Sequence, residues 1–423
     1  MRIDNALRKP NAGKRAYAVF AVCATTALAL PAQTFTTLYS FCSQPNCTDG
    51  LSPQGGLVQA INGDFYGTTR EGGTHSDDGE SSGTIFKITP RGALTTLYDF
   101  CVQANCTDGS FPMAGLVQST SGDLYGTTSN GGATGGGAVF KISPGGTLTT
   151  LYSFNGTDGS TPFARLIEAG GDFYGTTSAG GAYGGSDAGG TVFKITPDGT
   201  LTTLYSFCPQ GSGRCTDGAR PEAGLVQAAG GDFYGTTPYG GARGQAGTVF
   251  KITPSGTLTT LYSFCSRSGC TDGAHPFTEL VQATDGDFYG TTSNGGANCV
   301  SSGGCGTVFE ITPSGTPTTL YQFCAQTDCA DGEYPNGLVR ATDGNFYGTT
   351  YAGGASGAGT IFKITPSGTL TTLYSFDGSG GSGGPQAALV QGANGDFYGT
   401  ATYGSGTIFS LSVGLASFVE AHP

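Results

Sequence analysis

Tryptophan is absent from these 423 residues, histidine occurs three times, and only 11% of the chain is charged. Past residue 30 there is no long apolar run, so no later segment is suited to cross a bilayer as a helix. Segments with helical period are missing as well. His75, His275 and His422 are too scattered in sequence to propose a triad. Neither a Gly-x-Ser-x-Gly elbow nor a His-Glu-x-x-His zinc motif stands out, and no run of five like charges marks an interaction tail. Basic residues are few, 18 against 30 acidic ones.

Glycine is abundant, 76 residues, far above the ordinary share of about 7%. The glycines alternate with aromatic and β-branched runs that can bury apolar surface. That pattern predicts many short strands joined by tight turns, not a disordered tail.

Residues 1–32 read as an export signal. Arg2, Arg8, Lys9, Lys14 and Arg15 form a basic leader, Ala16 to Leu30 an apolar stretch, and Ala32 a cleavage point before Gln33. A retained anchor is the competing reading, but the stretch is short and broken by Thr25 and Thr26. Removing residues 1–32 takes five basic groups and one acid with it. The remainder holds 13 Lys and Arg against 29 Asp and Glu, a net charge of −16. Such acidity argues against nucleic acid and anionic membranes as partners.

Seven copies of one unit follow. A Gly-Asp-Phe-Tyr-Gly-Thr-Thr block anchors them, its tyrosine recurring at Tyr66, Tyr125, Tyr174, Tyr234, Tyr289, Tyr347 and Tyr398, 49 to 60 residues apart. Spacing of this size belongs to propeller blades or solenoid rungs. Each unit offers four strands, exemplified by Leu225–Ala228, the Asp-Phe-Tyr-Gly-Thr-Thr block, Thr248–Ile252 and Thr257–Phe264. The chain ends decide between ring and solenoid. A lone fourth strand, Thr34 to Phe41, opens the series, and the seventh unit stops after its third, Gly406 to Leu411. The surplus strand completes the deficient unit, whereas a solenoid needs polar caps. The expected fold is therefore all-β: a seven-bladed β-propeller of four-stranded antiparallel blades over residues 33–413, closed by its N-terminal strand, with a tail at 414–423. First-to-second and third-to-fourth connections are short and share one face; the other connections are long and variable and share the opposite face. Function is expected on the long-loop face.

Twelve cysteines remain after Cys23 leaves with the signal. They form six local pairs: Cys42/Cys47, Cys101/Cys106, Cys208/Cys215, Cys265/Cys270, Cys299/Cys305 and Cys324/Cys329. Loops that lack one cysteine lack both, as expected of disulfides in an exported chain, and a secreted or periplasmic location follows. Zinc is the alternative, but no His or second Cys pair lies nearby. Asp49, Asp108, Asp158, Asp217, Asp272 and Asp331 recur as Asp-Gly. A second set, Asp64, Asp123, Asp172, Asp232, Asp287 and Asp396, opens the second strand. Turn structure accounts for both better than calcium does. Neither a metal nor a cofactor is expected.

Seven equal units make no single centre, so candidate ligand contacts are residues that break the repeat. The loop from Arg70 to Ser82 offers Arg70, Glu71, His75, Asp77 and Asp78. The third position of the innermost strand is Gln59, Gln118, Gln227, Gln282 and Gln391, but Glu168 in unit three and Arg340 in unit six. A hydrogen-bonded structural ring is the plainer account of that column.

The recurring Gly-Asp-Phe-Tyr-Gly-Thr-Thr, Gly-Gly-Ala, Gly-Thr-Val-Phe-Lys-Ile-Thr-Pro and Leu-Thr-Thr-Leu-Tyr-Ser-Phe resemble the bacterial GloVer tandem repeat across nearly all of residues 34–413. The resemblance implies an exported repeat protein of the choice-of-anchor kind; it supplies no activity and no site residues. The expected anchor is put in doubt by Gly414–Pro423, which carries no apolar tail or basic stop. The expectation is a secreted, monomeric, non-enzymatic module that binds a glycan or protein. An enzyme acting on extracellular polysaccharide and a purely structural envelope component are the alternatives.

Overall fold

On a strand, successive side chains point to opposite faces, so the Phe-Tyr of each repeat, Leu124-Tyr125 in the second, offers one side chain to each neighbouring blade. The computed structural model, which describes residues 33–77, 80–183, 189–209, 215–242, 245–298 and 304–417, shows this directly. In blade 4, Phe233 stacks on Tyr174 of blade 3 at 4.3 Å, and Tyr234 stacks on Phe288 of blade 5 at 4.1 Å. Burial on both faces explains why the strand Phe233–Thr237 is buried throughout.

Seven such four-stranded antiparallel sheets form the ring. Blades 1 to 6 span residues 58–99, 117–153, 167–206, 226–263, 281–322 and 333–375; blade 7 spans 390–412 and takes its outermost strand, Thr34–Ser40, from the start of the chain. That strand pairs antiparallel with Thr407–Ser412, from Thr34 opposite Ser412 to Ser40 opposite Thr407. Phe35 then stacks on Tyr374 of blade 6 at 3.9 Å, so closure is sealed by side chains as well as by the ladder.

A second aromatic series runs through every seam. The phenylalanine after each outermost strand meets the third-strand phenylalanine of the next blade edge-on, as Phe207 meets Phe250 and Phe41 meets Phe86, at 5.1–5.4 Å. Each such pair contributes about 0.5–1.5 kcal/mol beyond burial. The second-strand glycine makes room for these rings: Gly235 lies opposite Phe250, and a Cβ there would come within 2.6 Å of the ring. The Pro-Ser-Gly hairpin turn is equally constrained. Gly256 has φ +89°, and a Cβ would lie 2.4 Å from the Leu204 carbonyl of the preceding blade.

Threonine adds a polar series. The first threonine of each Gly-Thr-Thr/Ala donates to a carbonyl at or just ahead of the innermost strand of the next blade, from Thr68 to Ala114 O (2.9 Å) round to Thr400 and Gly55 O (3.3 Å). The ring is thus stitched at every seam by two kinds of aromatic or apolar contact and one hydrogen bond.

Candidate functional site

The long-loop face begins with the disulfide loops. Cys42–Cys47, Cys101–Cys106, Cys208–Cys215, Cys265–Cys270 and Cys324–Cys329 are bonded, each in the connection after an outermost strand. Cys305 is also disulfide-bonded, and its expected partner Cys299 lies outside the described residues. The Asp-Gly aspartates hold these loops. Asp272 Oδ2 accepts from Tyr262 Oη at 2.6 Å and from Ser266 N at 2.8 Å, while Oδ1 accepts from Arg267 N at 3.2 Å. Burial would raise the Asp272 pKa, but these donors outweigh it and the net shift is downward. The phenol moves the other way: burial and a bond to Asp158 push Tyr152 up to about 12.

Two residues past each Asp-Gly the backbone turns left-handed. Ser52, Phe111, Thr161, Arg220, His275 and Tyr334 have φ between 54° and 56°, a region that ordinarily favours glycine. The hydrogen bonds supply the reason. Arg220 N donates to Gly189 O of blade 3 and His275 N to Ala246 O of blade 4, while the His275 carbonyl accepts from Ser293 N of its own blade. The bond to the preceding blade is thus made by the main chain, and the side chain at this position is not needed for it.

From this residue the chain runs inward to the innermost strand with alternating burial. Pro221 and Ala223 are buried, whereas Arg220 and Glu222 are partly exposed; Pro276 is buried, whereas His275, Phe277 and Glu279 are partly exposed. These positions form spokes converging on the axis. At the innermost place of each stand Gly56, Gly115, Arg165, Gly224, Glu279, Gly337 and Ala388, of which Gly115, Gly224 and Gly337 are buried. Only blades 3 and 5 carry long side chains there. Arg165 and Glu279 meet at 2.8 Å across blade 4, and a Cβ on Gly224 would come within 2.9 Å of Glu279 Oε2. The Arg165 side chain is 47% accessible, so the pair is open to solvent. The Glu279 charge raises the Arg165 pKa, keeping it cationic.

The neighbouring spokes add a second ion pair and a cluster of rings. Arg220 lies 3.8 Å from Glu222 and sits over the Tyr239 ring at 5.2 Å. Tyr239 contacts His275 and Phe277 at 5.3 and 5.9 Å. His275 Nδ1 is 2.8 Å from the Pro238 carbonyl, which can only accept, so the proton resides on Nδ1. Burial raises the Glu222 pKa, and Arg220 only partly offsets it.

The model of the Gloeobacter/Verrucomicrobia repeat matches residues 24–185, 182–330 and 300–422. This chain belongs to the Gloeobacter/Verrucomicrobia repeat family. No curated protein matches its sequence. A solved structure from Bacteroides uniformis, provisionally described as a 6-phosphogluconolactonase, shares the fold at TM-score 0.50 and 16% identity, covering 82% of this chain and 90% of its own. A luciferin-regenerating enzyme aligns at TM-score 0.45 and 13% identity over 72% of this chain and 92% of its own.

Within this repeat protein the residues expected from sequence fall in separate places. Arg70 pairs with its neighbour Glu71 at 2.6 Å and lies over Phe111 at 5.7 Å. His75 Nδ1 lies 3.1 Å from Asp99 Oδ2, just before a small hairpin of Ser76–Asp77 and Glu80–Ser81; Asp78 is outside the described residues. Glu168 pairs with Phe173 in blade 3, and Arg340 Nη2 reaches Thr284 Oγ1 of blade 5 at 3.2 Å. Among the described residues no ion pair joins these three groups. The glutamine column is a seam. Gln59, Gln118 and Gln391 accept from Ala393, Ile61 and Thr342 backbone N–H groups of the preceding blade, and all five glutamines donate within their own turns.

Two carboxylate or cysteine groupings also stand out in the repeat. Lys87, Lys141, Lys194, Lys251 and Lys363 each pair with a short-loop aspartate at 2.5–4.0 Å, but blade 5 has Glu310 in that place. Its oxygens lie within 4.8 Å of those of Asp285 and Asp287. Burial, then Asp287 and Asp285, raise the Glu310 pKa against a lowering hydrogen bond from Tyr289. Cys305, Cys324, Cys329 and Glu333 also converge, but all three sulfurs are in disulfides and offer no thiolate.

Arg165, Glu279, Arg220 and Glu222 were missed in the sequence, though a signal existed. The comparison of units that exposed Glu168 and Arg340 exposes Arg165 and Glu279 three residues earlier, in a column otherwise of Gly and Ala.

Proposed function

We propose that the protein is a secreted, non-enzymatic binding module that takes an extracellular glycan or protein on its long-loop face. The observation that carries this reading is the contrast between fixed backbone and varied side chain. At the left-handed position Ser52, Phe111, Thr161, Arg220, His275 and Tyr334 share one conformation, and each donates its N–H to a carbonyl of the preceding blade, while differing in chemistry. A rigid scaffold that releases side chains in this way is suited to recognition. Local disulfides in five of the seven connections that follow an outermost strand support an oxidising, extracytoplasmic compartment. A second reading, catalysis on a polysaccharide, is favoured by the raised carboxyl of Glu222, as a general acid requires.

The test is a panel of immobilised glycans and envelope proteins probed with the chain from residue 33, with released reducing ends measured in parallel. Binding without release is expected. Release that depends on Glu222 replaces this reading with the catalytic one. Failure to bind any member, with the protein retained in the envelope fraction, points to a structural component and overturns both.

A further inference from the structure

We propose that the sector of the channel mouth formed by blades 3 to 5 binds a neutral pyranose sugar. The inference rests on the binding-module reading and names its ligand.

Charge balance selects neutrality. Both arginines of the sector are already paired with a carboxylate, Arg165 with Glu279 at 2.8 Å and Arg220 with Glu222 at 3.8 Å. A uronate or sialate would need an uncompensated guanidinium, and an amino sugar or lysine-rich peptide an uncompensated carboxylate; neither is present in the two pairs. What the pairs do present is a planar donor fork beside a carboxylate acceptor, fixed by their contact and partly open to water. Vicinal hydroxyls, each donor and acceptor at once, match that arrangement. His275, oriented by the bond from Nδ1 to the Pro238 carbonyl, adds Nε2 as a further polar partner. The apolar face of a pyranose needs a ring to lie on, and the partly exposed Phe277, propped edge-on by Tyr239 at 5.9 Å, supplies it. The rest of the mouth lacks this set: the corresponding spokes of blades 1 and 7 bear Gln54 and Gln386 and end in Gly56 and Ala388.

The test uses the chain from residue 33 with methyl glucoside, galactoside and mannoside, and with glucuronate and galacturonate, by saturation-transfer NMR and calorimetry. At least one neutral glycoside should bind, and the uronates should not. Glu279→Gln and Arg220→Gln should each weaken the neutral sugar about tenfold, the loss expected when one charged hydrogen-bonding partner is removed. Glu279→Gln should also admit glucuronate, since Arg165 is then uncompensated. Gln386→Ala should leave affinity unchanged, and unaltered melting curves establish that the variants fold. Preference of the native chain for a uronate overturns the proposal, as does neutral-sugar binding that both sector variants leave intact. In the latter case, or if envelope proteins bind while no sugar does, the module reading stands and only this site falls. If nothing binds, both fall.

Discussion

On the short-loop face, four lysines pair with aspartates at equivalent places, Lys363 pairs with Asp343 two residues earlier in the same turn, and the glutamines bond to equivalent turn carbonyls. On the long-loop face the main chain repeats just as faithfully, yet serine, phenylalanine, threonine, arginine, histidine and tyrosine succeed one another at one backbone position. The difference lies in which atoms do the stitching. Where side chains join the blades, as Gln59, Gln118 and Gln391 do, a change of side chain removes the inter-blade bond. Where the main chain does it, through a left-handed residue whose N–H bonds the preceding blade, the side chain differs from unit to unit. Non-glycine residues in that conformation cost about 1–2 kcal/mol each, a cost the inter-blade bonds offset.

The comparison breaks most visibly at the aspartates that hold the disulfide loops. Asp272→Ala strands Tyr262 Oη and the Ser266 and Arg267 N–H groups. A loss of about 2–3 kcal/mol is expected from denaturant unfolding. In the native chain the same loss should develop with acid. The Asp272 pKa is depressed on folding, so its contribution is complete above the ordinary aspartate value of about 4 and disappears as pH falls through the folded value.

An intermediate effect is expected from the glutamine seam. Gln391 bonds Thr342 N at 3.0 Å and Thr342 Oγ1 at 3.2 Å across blades, besides Gly395 O of its own turn. Gln391→Ala should cost about 1–1.5 kcal/mol, whereas Gln227→Ala, whose side chain is exposed and donates only to Gly231 O at 3.2 Å, should cost under about 0.5. Equal losses would show that the glutamines act within turns and not between blades.

The smallest effect restores uniformity to the short-loop face. Glu310→Lys replaces a third carboxylate with the cation that five other blades carry, and should stabilise by about 0.5–1 kcal/mol at neutral pH. The Glu310 pKa is raised on folding, so the native protein is relatively most stable below about 4.3 and loses stability as pH rises through the folded value. The advantage of the lysine should therefore shrink in acid, read from melting temperatures between pH 3 and 7.

Legibility followed the range of each interaction. Alternation within Phe-Tyr-Gly-Thr-Thr, the Pro-Ser-Gly turns and the paired loss of cysteines are local, and they yielded strands, hairpins and disulfides close to those observed. The innermost strand proved shorter than expected, Val226–Gln227 in blade 4 where Leu225–Ala228 was anticipated. Of the candidate contacts, Arg70, Glu71 and His75 do sit on the long-loop face, but their partners are one another, Phe111 and Asp99.

By itself the sequence determined a ring of seven four-stranded blades, because seven repeats with complementary ends can satisfy their edge strands only by closing. Tertiary structure alone decided that Arg165 and Glu279, 114 residues apart, would meet. Their encounter depends on the ring bringing blades 3 and 5 to a common axis and on Gly224 leaving the space between them empty, and neither condition is a property of any local stretch of chain.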